Sequence, residues 1–245
     1  MRRALALAAV ALLAPAAGAR ADEPQPASPR ALVVMIPGSG FNGAGVANAR
    51  RMSFKEDRWR RAGFRTKVAP YRRGKAGLGD VLRVIRRAAA SAPGLPLCLY
   101  GESSGGTWAL LATARLAVVR CAIVLAAPTD QETLARAAPH GARHLARTVW
   151  PRYFGAAAAD DAWEPFDVWS TGVPQTPVLL AYSDGDPIVP PQQGELFAPL
   201  SALTELRVLR HGTHQFVHAK VRTGDFWQAR HAAEALVAGV GLRSG

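Results

Sequence analysis

The sequence predicts an α/β fold, a mainly parallel twisted sheet with helices on both faces, and three observations carry that prediction. Short, continuously apolar runs such as LVVMI and AIVLA recur along the chain, the pattern of strands buried on both faces. They alternate with segments of helical periodicity from residue 30 nearly to the end. Glycine and proline mark the junctions. Sheets of this class hold ligands beyond the carboxyl ends of their strands, so reactive residues are expected just after apolar runs.

RALVVMIPG, at 30–38, is rich in β-branched residues and stops at Pro-Gly, as a first buried strand would. A helical stretch over 45–62 leads to FRTKVAPY at 64–71, a second strand. GLGDVLRVIRRAAASA then gathers Leu78, Val81, Leu82, Val84 and Ile85 on one helical face, with arginines opposite. LPLCLYG is the next strand and TWALLATARLAV the next helix. CAIVLAAPT (121–129), TPVLLAYSDGD (176–186) and TELRVLRHG (204–212) are further strands, and residues 225–240 a closing helix.

Residues 1–21 are expected to be a signal peptide: two arginines, an Ala-rich apolar run, then Ala19-Arg20-Ala21 in the small-x-small pattern of a cleavage site. The run is too short for a comfortable membrane span, which needs about 20 strongly apolar residues. Residues 22–30, Pro-rich and polar, are the linker, and 31–245 form one domain. The expectation is an exported protein, periplasmic or secreted, with no stable membrane insertion. The net charge of +12 falls by three, to +9, once Arg2, Arg3 and Arg20 are removed. No nucleic-acid motif focuses that charge, so it is read as surface background and nucleic acid is not expected as a partner. Cys98 and Cys121 fall in predicted strands; the reading adopted is buried thiols, with a disulfide permitted in an oxidising compartment.

The chemistry begins at Gly101-Glu102-Ser103-Ser104-Gly105, between a predicted strand and a predicted helix. A strand turning sharply into a helix forces its corner residue into strained backbone angles. Glycines two positions either side relieve the crowding. Ser103 is the expected nucleophile, because centring the motif on Ser104 would put Glu102 where a glycine belongs. A serine needs a base, and VLRHGTHQF offers His211 and His214 after the last strand. His214 is chosen, since its Gly-Thr-His loop can return the ring over the sheet. A metal site of His211, His214 and His218 is the rival reading, weakened by the Gly-Thr between the first two and the lack of a nearby carboxylate or cysteine. No metal or cofactor is expected. Asp186, before the stiff Pro-Ile-Val-Pro segment, is the acid that orients the imidazole. Asp184 is the more natural turn former, and Asp130 the backup acid.

The order Ser103, Asp186, His214, with this elbow and these two loops, resembles the α/β-hydrolase superfamily, within it compact esterases and the catalytic domains of prolyl-oligopeptidase-like hydrolases. The resemblance covers residue 31 to about 240. It implies the α/β-hydrolase fold, with a small helical cap inserted at about 130–175. It also implies an oxyanion hole made by the backbone N–H of Ser104 and a second donor from IPGSGFNG, Ser39 by position, with Gly40 as the alternative. Members often carry His-Gly where this chain has Pro37-Gly38.

In the cap segment, Trp150, Tyr153, Phe154, Trp163, Phe166 and Trp169 are either a pocket lining or the cap's own core. Arg136, Arg143 and Arg147 are read as a solvated face rather than a site for anions. The expected activity is cleavage of carboxylic esters through an acyl-enzyme, on a small-molecule ester or short peptide. A serine peptidase or amidase is the alternative, and an inactive binding protein of the same fold a third reading.

Overall fold

The computed structural model describes residues 28–137, 151, 168–169, 172–210 and 213–214. The expected signal peptide, the cap aromatics other than Trp169, Arg143, Arg147, His211, His218 and the closing helix lie outside the described residues, as does most of the linker.

β1 (Leu32–Ile36) is buried at all five positions, as its unbroken apolar sequence requires. α1 (Val46–Arg61) leads to β2 (Arg65–Val68), and α2 (Ala76–Ala90) to β3 (Leu97–Glu102). α3 (Ser104–Arg115), β4 (Val119–Leu125) and α4 (Gln131–Ala137) follow. The last elements described are β5 (Val178–Ser183), α5 (Gln192–Phe197), a short 3-10 turn at Ala198–Leu200, and β6 (Thr204–Leu209).

Among the described residues six strands form one sheet in the order β2-β1-β3-β4-β5-β6, and every pairing between them is parallel. The chain steps outward once, from β1 to β2, and in the opposite direction thereafter. Right-handed crossovers therefore put α1 on one face and α2 and α3 on the other. α2 packs against α3, and the face it buries includes Leu78, Val81 and Ile85, while Leu82 and Val84 are only partly covered. On the α1 side, Trp59 meets Phe64 and Tyr100 edge-on. On the other, Trp108 of α3 packs edge-on against Phe41 and Tyr71. β2 is an edge strand, and Arg65 and Lys67 guard it against pairing with other chains.

Cys98 and Cys121 are not free thiols: they are joined as a disulfide. The sequence placed both in strands but could not supply the register. In the sheet they sit directly opposite one another on adjacent strands, with Cα atoms 4.7 Å apart, within the span that a disulfide bridges.

All five predicted strands that precede candidate reactive residues end at one rim of the sheet because the sheet is wholly parallel. β1, β3, β4, β5 and β6 deliver residues 37–41, 103, 126–130, 184–189 and 213–214 there. That rim positions the site.

Candidate active site

Ser103 stands at the corner between β3 and α3 with φ 51° and ψ −127°. A non-glycine residue there costs of order 1–3 kcal/mol, so the surrounding structure must impose it. It does so through close packing. A Cβ on Gly101 would lie 2.5 Å from the Gly105 carbonyl oxygen, and one on Gly105 would lie 2.2 Å from the Ile36 carbonyl oxygen. The first glycine lets helix meet strand; the second lets β1 and its loop lie against the first turn of α3. The Ser103 N–H donates to the Leu125 carbonyl at 2.8 Å, fixing the corner to β4.

Ser103 Oγ is 3.1 Å from His214 Nε2, and His214 Nδ1 is 2.7 Å from Asp186 Oδ2. A carboxylate only accepts, so Nδ1 carries the proton and Nε2 is left to accept from the serine hydroxyl. The second carboxylate oxygen, Asp186 Oδ1, accepts the N–H groups of Ile188 at 2.8 Å and Val189 at 3.0 Å. The Asp-Pro-Ile-Val segment thus folds back on its own acid. The Asp186 side chain is fully buried and that of His214 nearly so.

The other acids weighed from the sequence are occupied elsewhere. Asp184 is exposed, and its N–H donates to the Leu209 carbonyl in the turn after β5. Asp130 caps α4, accepting the Thr133 N–H and hydroxyl. Both ring nitrogens of His214 are engaged with Ser103 and Asp186, and His211 and His218, the other members of the metal reading, lie outside the described residues.

In the loop after β1, the Ser39 N–H donates to Ser104 Oγ at 3.0 Å. Gly40 follows at φ 61° and is half-buried. Ser104 opens α3, so its own N–H has no acceptor within that helix. The loop is tied from outside as well: Tyr71 OH donates to the Pro37 carbonyl at 2.7 Å, and Asn48 Nδ2 to the Gly38 carbonyl at 3.0 Å. Burial pushes the Tyr71 phenol up to about 12, against weaker lowering by its hydrogen bonds to Ser104 and Ser39.

Two supporting groups escaped the sequence reading. Glu102, immediately before the nucleophile, is buried and forms an ion pair with buried Lys55 of α1, while Tyr100 OH donates to the same carboxylate oxygen at 2.8 Å. A charged residue at the end of an otherwise apolar strand was the available signal for Glu102; nothing marked Lys55 as its partner. Gln193 of α5 accepts the N–H groups of Thr129 and Asp130 through Oε1, both at 2.9 Å, and its carbonyl accepts the Thr129 hydroxyl at 2.6 Å. It clasps the loop after β4 to the helix after the acid.

A wholly parallel sheet with a strained serine between strand and helix, and an imidazole over it from the far edge, is the α/β-hydrolase fold. No protein-family model matches the chain, and no curated protein matches its sequence. Solved structures do. The chain is similar to an acetyl ester-xyloside bifunctional hydrolase from Caldicellulosiruptor lactoaceticus, at a TM-score of 0.71 and 17% identity, covering 88% of this chain and 85% of that one. Esterase 2 of Thermogutta terrifontis, in a structure phosphonylated by sarin, gives a TM-score of 0.68 and 16% identity over 89% of this chain and 88% of that one. A puromycin hydrolase matches 90% of this chain at a TM-score of 0.64 and 18% identity, but the match spans only 34% of its own length.

Proposed function

We propose that the chain is an exported serine hydrolase that cleaves carboxylic esters through an acyl-enzyme. The observation that carries the proposal is the chain of contacts Ser103–His214–Asp186, at 3.1 and 2.7 Å, on a corner held at positive φ. Ser103 Oγ attacks the ester carbonyl as His214 Nε2 takes its proton. Asp186 holds the imidazole in the tautomer that can accept that proton and stabilises the imidazolium that results. The tetrahedral oxygen lies against the N–H of Ser104, at the positive end of α3. Ser39 spends its N–H on Ser104 Oγ, which leaves Gly40 as the second donor from the loop. Each such donor is worth roughly 3–4 kcal/mol in the transition state. His214 returns the proton to the alcohol as it leaves, and water repeats the sequence on the acyl-enzyme to release the acid.

Esters rank ahead of amides because two of the similar structures are named as ester hydrolases. A serine peptidase or amidase is the second reading, and the likeness to a puromycin hydrolase keeps it in view. Export is supported by the disulfide between Cys98 and Cys121, a bond that persists in oxidising compartments.

The experiment is labelling with a fluorophosphonate probe beside a panel of aryl esters and aminoacyl amides. Wild type should be labelled and Ser103→Ala should not. An unlabelled wild type would favour an inactive binding protein, and turnover of amides without esters would reverse the substrate ranking.

A further inference from the structure

Beneath the rim, three hydroxyls from three separate elements meet. Tyr71 OH, from the turn after β2, lies 3.0 Å from Ser39 Oγ and 3.3 Å from Ser104 Oγ, and donates to the Pro37 carbonyl at 2.7 Å. Ser104 Oγ also accepts the Ser39 N–H at 3.0 Å. Ser104 has no exposed surface and Tyr71 has 5%.

Proton counting fixes the direction of every bond. A phenol has one hydrogen, and the shortest contact, to the Pro37 carbonyl, takes it. Tyr71 Oη is then an acceptor for both serines. Ser104 Oγ accepts from the Ser39 N–H and donates to Tyr71. The result is a closed relay: Ser39 N–H to Ser104 Oγ–H to Tyr71 Oη–H to the carbonyl of Pro37, two residues before the relay's start. Each bond polarises the next, and the Ser39 N–H and the Pro37 C=O are satisfied through side chains from α3 and from the turn after β2.

We propose that Ser104 and Tyr71 are positioning residues for the oxyanion site: their hydroxyls lock the loop at 37–40 to the nucleophile's helix, so that the Gly40 N–H stands where negative charge develops. This rests on the serine-hydrolase reading. Ser104 then serves twice, its N–H toward the substrate and its hydroxyl toward the loop. Ser39, which by position in the sequence looks like the donor, is a structural tie.

The test uses the full chain with Ser104→Ala, Ser104→Thr, Tyr71→Phe and the Ala/Phe double variant. Turnover of p-nitrophenyl acetate, the rate of fluorophosphonate labelling and inhibition by an aryl trifluoromethyl ketone are measured together. The ketone forms a tetrahedral oxyanion on the serine, so its affinity reports the oxyanion site. Ser104→Ala and Tyr71→Phe should each lower kcat roughly 10- to 100-fold, up to the low end of the range for losing a donor outright, with KM changed less than about twofold. Labelling and ketone affinity should fall in proportion. The double variant should be no worse than the worse single one, because either break opens the same relay. Ser104→Thr keeps the hydroxyl and should recover most of kcat; should its added methyl prevent folding, Ser104→Ala, Tyr71→Phe and their double variant carry the test. Wild-type kcat and ketone affinity in both single variants, or losses that multiply in the double one, would overturn the positioning role. An unlabelled wild type would instead overturn the hydrolase reading, and the inference with it.

Discussion

Replacing Asp186 by asparagine should disable the enzyme through a change of tautomer, and the geometry around this one carboxylate says why. Oδ1 accepts two backbone N–H groups, at 2.8 and 3.0 Å, so that corner of the side chain must remain an oxygen. The amide NH₂ of Asp186→Asn is therefore forced into the place of Oδ2, 2.7 Å from His214 Nδ1. A flipped amide would set NH₂ against two donors in a fully buried site, leaving them unsatisfied at about 1–3 kcal/mol each. With the NH₂ donating to Nδ1, the ring proton must sit on Nε2. His214 then donates toward Ser103 Oγ, 3.1 Å away, and has no lone pair for its proton. The expected loss is on the order of 10⁴ in kcat, about 5.4 kcal/mol, the effect of the same change in a serine-protease triad. The assay is aryl ester hydrolysis, with fluorophosphonate labelling as a second readout and a thermal melt to show that the fold is retained. A folded Asp186→Asn variant within tenfold of wild-type kcat would refute the reasoning.

Lys55→Met strands the buried Glu102 carboxylate and should cost about 3–5 kcal/mol, lowering Tm by roughly 6–20 °C; Lys55→Met with Glu102→Leu should recover most of that, and additive losses would count against a coupled pair. Gly105→Ala puts a methyl 2.2 Å from the Ile36 carbonyl oxygen and should abolish soluble folded protein, whereas Gly79→Ala in α2, with open space around the new methyl, should stabilise by about 0.5–1 kcal/mol; thermal melts of the two decide whether the elbow's glycines are sterically required. Tyr71 keeps its proton up to about 12 in the fold, against about 10 when unfolded. Its contribution to stability is complete below pH 10 and is lost as pH rises from 10 to 12, up to about 3 kcal/mol, so denaturant melts of Tyr71→Phe should show a shallower alkaline decline than wild type.

The sheet was legible because its inner strands are apolar on both faces, a signal that survives without tertiary context: LVVMI and VLLAYS stand in the structure as β1 and β5. The corner at Ser103 was legible because its glycines answer a local steric demand, visible in five residues. The proximity of Ser103, Asp186 and His214 was an expectation of order and of loops following strands, and their distances belong to the fold alone. The pairing of Cys98 with Cys121 depended on strand register, which no single segment encodes. The partners of Ser39 were hidden for a similar reason. Ser104 Oγ and Tyr71 OH reach it from 65 and 32 residues away, and nothing in their own neighbourhoods marks them. Lys55 and Glu102 form a contact across 47 residues, equally silent in either segment.

The clasp made by Gln193 ties two loops of the rim together through one residue. One amide side chain grips the last residues before α4, and so the root from which the chain departs toward residue 138, while its own helix begins three residues after the backbone amides that hold the acid. Loss of that single amide would free two neighbouring loops at once, the one that ends β4 and the one that carries Asp186.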